Sequence, residues 1–201
     1  MTVAVAVRKE HRIILAAEGL VHFGGQRFPS DNTRSRKIHR IGDSVMAWAG
    51  WSLYAELLTA HLSTASSPPP LGSEAEVFSF FVQFWRAMQA NYTYLQGSPE
   101  HGHPFANLDS TFLLANSSGI YRVAGDMDVT SFDQYSAIGS GSQYSLGALR
   151  VLYDSSSDPV DIAKRAIQVG IDFDVYCGGE IDLEEVAFVR AGARGTERPP
   201  G

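Results

Sequence analysis

Two apolar runs near the N-terminus do most to limit how this chain can fold. Val3-Ala4-Val5-Ala6-Val7 alternates two apolar residue types, so a strand here shows water neither face. Ile13-Ile14-Leu15-Ala16-Ala17 is apolar throughout, and the polar Arg8-Lys9-Glu10-His11 between them reads as a tight turn. A hairpin apolar on both sides must be covered on both sides. Glu18-Gly19 closes it, and a carboxylate directly behind a buried strand is either a solvated strand end or a site residue.

The remaining chain supplies the covering layers. Residues 20–35, with Gly24-Gly25, Pro29 and a polar run, read as a loop. Arg36 to Ile41 alternates at period two, with Lys37 facing opposite to Ile38, and Val45 to Gly50 forms another short strand. Leu53, Leu57, Leu58 and Leu62 then recur at helical spacing up to the break at Pro68-Pro69-Pro70. A second helix follows, with Val77, Phe81, Phe84 and Met88 on one stripe, Phe80 widening it and Phe78 and Trp85 alongside. Strands return at Thr111–Ala115, Ile120–Val123 and Tyr135–Ile138. The last runs through Gly139-Ser140-Gly141-Ser142 into a helix with Tyr144, Leu149 and Leu152. Ser157-Asp158-Pro159 offers an N-cap and a first-turn proline for one more helix, lined by Ile162, Ala166, Ile167 and Gly170. A final strand is expected at Val186–Val189. Strands, a helix pair, strands, a helix pair and a closing strand predict an α+β fold. Two sheets stack face to face with helices on each outer side, a four-layer αββα sandwich. One domain over residues 1–191 and a flexible tail over 192–201 are expected.

Composition narrows the function classes. Sixteen basic against 22 acidic residues give a net charge of −6 without a basic block, which argues against nucleic acid as a partner. The single cysteine, Cys177, excludes an internal disulfide and a thiolate zinc site. His101-Gly102-His103 lacks a third ligand, so no metal is expected, and no cofactor either. The glycine-serine turn at 139–142 lacks the lysine of a phosphate-binding loop. With no secretory leader and no apolar run long enough to span a bilayer, the chain is expected in the cytoplasm, away from membranes.

Thr2 is where chemistry enters. Removing Met1 would expose a threonine that joins a hydroxyl nucleophile to its own base, an α-amine of reference pKa about 7.7–8.0. Threonine after methionine is common, so the dipeptide alone decides nothing. The order of the motifs behind it resembles one family, the proteasome β subunits and their bacterial two-ring relatives. These are threonine proteases of the N-terminal-nucleophile class. The likeness runs from Thr2 to about Val189. It is carried by Glu18-Gly19, Lys37-Ile38-His39-Arg40-Ile41, Ala47-Trp48-Ala49-Gly50, Ile138 to Tyr144 and, most specifically, Asp174-Val175-Tyr176-Cys177-Gly178-Gly179. Two positions depart from it: Glu18 stands where the family usually has aspartate, and Cys177 where it usually has serine.

The resemblance implies a role for each of these residues. Thr2 would attack the carbonyl, Lys37 would favour the neutral amine, Glu18 would orient Lys37, and the Gly50 amide would receive the oxyanion. Ser140 and Asp174 would hold the threonine amine. Trp48, His22 and Cys177 would contact substrate, with the broad indole of Trp48 making a shallow pocket. The implied activity is a self-compartmentalising threonine peptidase acting on peptides or proteins. It would work in a single or double homo-oligomeric ring of six or seven subunits, fed by an ATP-dependent unfoldase. A small-molecule amidase of the same class and a non-catalytic ring subunit remain as alternatives.

Overall fold

The computed structural model describes residues 2–23, 25–28, 32–92, 108–155 and 157–189. The expected hairpin is β1 (Val3–Lys9) and β2 (Arg12–Glu18), paired antiparallel with Ala4 opposite Ala17 and Val7 opposite Ile14. Next come β3 (Val21–Phe23) and β4 (Gln26–Phe28), a small ribbon of their own, then β5 (Ile38–Ile41) and β6 (Ser44–Gly50). Helices α1 (Ser52–Ser63) and α2 (Glu74–Asn91) precede β7 (Ser110–Asn116), β8 (Gly119–Val123), β9 (Val129–Phe132) and β10 (Tyr135–Gly139). The chain ends in α3 (Ser142–Leu152), α4 (Pro159–Phe173) and β11 (Ile181–Ala187).

One sheet has the order β10-β1-β2-β11 and the other β5-β6-β7-β8-β9. Period two along each strand sorts side chains into layers. Ala4, Ala6, Ala17, Ala47, Ala49 and Ala115 point between the sheets, where small side chains let the two backbones approach, with Ile13, Leu15 and Leu113 filling the remaining space. On the outer side of the first sheet Val3, Val5, Val7, Ile14 and Ala16 meet α3 and α4 through Leu149, Ile162, Ala166 and Ile167. On the outer side of the second, Met46, Phe112 and Leu114 meet α1 and α2 through Leu58, Val77, Phe81 and Phe84. The result is the αββα sandwich expected from the hairpin.

The helix starts follow their sequence signals. Asp158 caps α4 by accepting from the Val160 amide at 2.8 Å, with Pro159 in the first turn. Ser73 caps α2 by accepting from the Glu76 amide at 3.3 Å, while the Glu76 carboxylate accepts from the Gly72 amide at 2.8 Å. The α2 stripe is buried as expected, whereas Phe78 faces outward at 51% exposure.

Three expectations need correction. Residues 20–35 are not all loop, since they contain the β3–β4 ribbon. Strand β9 lies where no element was expected. The last strand ends at Ala187 rather than spanning 186–189, because its pairing with β2 runs from Ile181 opposite Glu18 to Ala187 opposite Arg12. His101-Gly102-His103 and the tail from 192 onward lie outside the described residues.

Candidate active site

Thr2 enters β1 almost fully buried, and two glycines fix its backbone. Gly139 sits opposite Val3 at the end of β10 with φ +94, and a Cβ there would lie 2.0 Å from the Thr2 carbonyl oxygen. The Gly141 amide donates to that same oxygen at 3.5 Å. Only glycine at 139 lets the β10–α3 turn close on the strand start. Gly170 of α4 likewise leaves room for Val3, whose methyls would lie 3.1 and 3.2 Å from an added Cβ.

Glu18 ends β2 with no exposed surface. Oε1 accepts from the Lys37 ammonium. Oε2 accepts from the Leu20 amide at 2.8 Å and the Gly178 amide at 3.0 Å. A buried carboxylate needs several donors, and this one has a cation and two amides. Glu18 therefore reaches Lys37 and also ties the 178 turn to the start of the 20–37 segment. Lys37 is 13% exposed and lies just before β5, with its stem toward the cavity beside Thr2.

Behind Thr2 stands a second linked group. The Asp174 Oδ1 accepts from the Tyr176 amide at 2.9 Å and Oδ2 from the Cys177 thiol at 3.5 Å, with a further side-chain bond from Ser140. Burial pushes the Asp174 carboxyl up, but the hydrogen bonds from Ser140, Tyr176 and Cys177 outweigh it, so its pKa is lowered. The same surroundings push the Cys177 thiol up to about 12, through burial first and then the charges of Glu18 and Asp174. Cys177 is thus a protonated donor at neutral pH rather than a nucleophile. It packs against the Gly141 turn, its sulfur 3.1 Å from where a Gly141 Cβ would sit.

Gly50 ends β6 at φ +141, and a Cβ there would lie 2.4 Å from both the Asp109 carbonyl oxygen and the Ser110 hydroxyl. The position accepts glycine alone. Thr2, Lys37, Trp48 and Gly50 line one cavity of about 380 Å³. Glu18, Ser140, Asp174 and Cys177 stand behind this lining rather than in it, so Cys177 is not placed to contact substrate as expected. His22 pairs with Arg27 in the β3–β4 ribbon, and its side chain lies outside the described residues.

The sequence reading missed much of the cavity wall. Leu20, Val21 and Phe23 come from the segment read as loop, Arg34 and Arg36 from the approach to β5, and Glu56 and Thr59 from α1. His39 is a further wall residue. Its ring stacks on Trp48 at 4.2 Å between centroids with 27° between planes. Period two on β5 and β6 puts these rings on one face as diagonal neighbours, a signal available in the sequence.

Among the described residues no helix is long and apolar enough to cross a membrane, and no group of three or more His, Cys, Asp or Glu side chains could hold a metal ion.

The fold is that of the proteasome-like N-terminal-nucleophile hydrolases, and the sequence is similar to a protease subunit of that kind over most of its length. It is 25% identical over 195 residues to the ATP-dependent protease subunit HslV of Caldicellulosiruptor saccharolyticus, covering 92% of this chain and 98% of that one. The structure of Thiobacillus denitrificans BPH in complex with epoxomicin superposes with a TM-score of 0.85 at 27% identity, over 94% of this chain and all of that one. Eukaryotic HslV from Trypanosoma brucei, at 21% identity and a TM-score of 0.64 over 92% of this chain and 99% of that one, shares the fold. No protein-family model matches the chain.

Proposed function

We propose that the chain is a threonine-type peptidase working through an acyl-enzyme on Thr2. Once Met1 is removed, the Thr2 α-amine takes the proton from its own hydroxyl as Oγ1 bonds to the scissile carbonyl carbon. The negative charge that develops on the carbonyl oxygen falls to the Gly50 amide. The bond to the leaving amine then breaks, the amine departs with the proton, and the Thr2 ester is hydrolysed by water. The Lys37 ammonium disfavours a second positive charge nearby, keeping the amine available as a base, and Glu18 fixes its position. Ser140, Asp174 and Cys177 hold the β10–α3 turn that packs against the Thr2 backbone.

One observation carries this reading: Thr2, the Glu18-paired Lys37 and the glycine-only strand end at Gly50 meet on one cavity. The likeness to a structure holding epoxomicin, a threonine-protease inhibitor, supports it. By analogy with the ATP-dependent protease subunit it resembles, the chain works as an oligomeric ring supplied by an ATP-dependent unfoldase. Such a ring restricts the cavity to unfolded polypeptide.

The test joins mass and activity. Intact-mass measurement should show loss of Met1, epoxomicin should add one molecule per chain, and Thr2→Ala should abolish both the adduct and peptide cleavage, the latter by at least about 10³-fold. Retained Met1 in material that still cleaves peptides, or cleavage undiminished in Thr2→Ala, overturns the mechanism.

A further inference from the structure

The cavity beside Thr2 has a charge pattern at odds with the protein as a whole. The chain carries a net −6, yet two guanidiniums, Arg34 and Arg36, line the cavity against the single carboxylate of Glu56. Lys37 is already paired with Glu18, so the two arginines are the cavity's cations left for a substrate carboxylate. Both arginines are exposed, and neither has a carboxylate partner among the described residues.

Arg36 is also held in place. A carbonyl cannot donate, so the 2.8 Å contact between His39 Nε2 and the Arg36 carbonyl oxygen has the imidazole N–H donating. The same ring lies stacked on Trp48. Trp48 on β6, His39 on β5 and the backbone of Arg36 thus form one chain of contacts from the cavity wall to the arginine segment. Two guanidiniums without a carboxylate partner among the described residues, one of them on a segment whose backbone is tied to the aromatic wall, suit a side chain with an apolar stem and a terminal carboxylate.

We propose that this cavity selects peptides with a glutamate, and less well an aspartate, at the side chain seated beside the cleaved bond. Arg34 and Arg36 are the specificity-determining residues. The inference deepens the peptidase reading and rests on it. Glutamate's stem lies along Trp48 while its carboxylate reaches the two guanidiniums. A solvent-facing guanidinium–carboxylate pair is worth about two- to fivefold in affinity, so the two together give about tenfold at low salt, diminishing as salt screens them.

Two measurements keep the site's specificity separate from its chemistry. First, dye-labelled hexapeptides differing only in Glu, Gln or Lys at the selected position are bound to the Thr2→Ala protein and followed by fluorescence anisotropy. Glu should bind about tenfold tighter than Gln at low salt, and R34Q/R36Q should bring the ratio within twofold of one, with an unchanged circular dichroism spectrum. Second, the same peptides with a fluorogenic leaving group are cleaved by the wild-type protein, and kcat/KM should follow the same order. Equal binding of Glu and Gln, or preference for Lys through Glu56, overturns the proposal. Thr2-dependent cleavage without acidic preference also overturns it and leaves the peptidase reading standing. Acidic preference in binding without cleavage by the wild type supports the cavity's selectivity and removes the peptidase reading.

Discussion

The two sides of Thr2 are built differently. Behind it, Glu18 has no exposed surface and three donors, and Asp174, Ser140 and Cys177 bond one another beneath the β10–α3 turn. In front, Phe23 is 65% exposed, and Arg34, Arg36 and Glu56 face outward on a loop and a helix surface. Glu18 joins amides of two segments and a lysine, and Asp174 joins a local amide, a thiol and Ser140. Removing one therefore disturbs position as well as charge. Front residues meet little but solvent and whatever binds, so changing them alters recognition without loosening the fold. Chemistry is fixed by burial, while selectivity is left to groups that can change at little cost.

The sharpest way to break this contrast is Glu18→Gln. The amide keeps one oxygen where the carboxylate served three donors, and Lys37 loses its counter-charge. Breaking a buried pair from one side costs about 3 kcal/mol, read as a fall in Tm of about 6–12 °C for a chain of this size. Activity should fall by about 10² as Lys37 is released. Phe23→Ser on the front wall should stay within about 0.5 kcal/mol of wild type. Equal melting temperatures for the two variants would erase the distinction between back and front.

The strand-end residues on both sides of the cavity lining were legible in the sequence, and little of the rest of the front was. Thr2, Glu18, Lys37 and Gly50 sit at strand starts and ends, so the periodicity that locates the strands locates them too. Gly50 adds its own signal, because a glycine closing a strand can mark a place where no side chain fits, and the structure shows it at φ +141. The front depends on exposed residues brought together from β3, the 34–36 segment, β6 and α1, and no local pattern announces such a meeting. The ribbon strands β3 and β4 have three residues each, too few for alternation to register. The misplaced end of β11 has a physical cause as well. It is an edge strand, and Asp182, Glu184 and Glu185 interrupt its apolar residues. Glu185 pairs with Arg12 at 2.8 Å and Glu184 with Arg40 at 2.5 Å, so part of what holds the strand is charge, which a search for apolar runs passes over.

Acid sharpens the comparison further. The Asp174 carboxyl has a pKa below its ordinary 3.8 in the folded protein. A depressed folded value means that its contribution to stability is complete above the unfolded value and is lost as pH falls through the folded one. Denaturant unfolding of wild type and Asp174→Asn should therefore differ most at neutral pH, with the gap closing below about pH 4. A gap of constant size from pH 7 to pH 3 would mean that Asp174 acts by shape alone.

The smallest effect is expected at Cys177, where exchange for serine leaves the network in place. Cys177 donates to Asp174 across 3.5 Å, a long contact from a weak donor. A serine hydroxyl is the stronger donor but carries a smaller atom, so Cys177→Ser trades a better hydrogen bond for thinner packing against Gly141. The two changes oppose each other, and stability should move by less than about 1 kcal/mol, with kcat within about threefold. The thiol also gives a direct readout of the back wall. Buried, and protonated at neutral pH with its pKa pushed up to about 12, it should resist iodoacetamide in the native protein and react once denaturant opens the fold. Fast labelling of the native chain at neutral pH would show that the region behind Thr2 opens as readily as the front. The contrast between the two sides would then have to be drawn from motion rather than from packing.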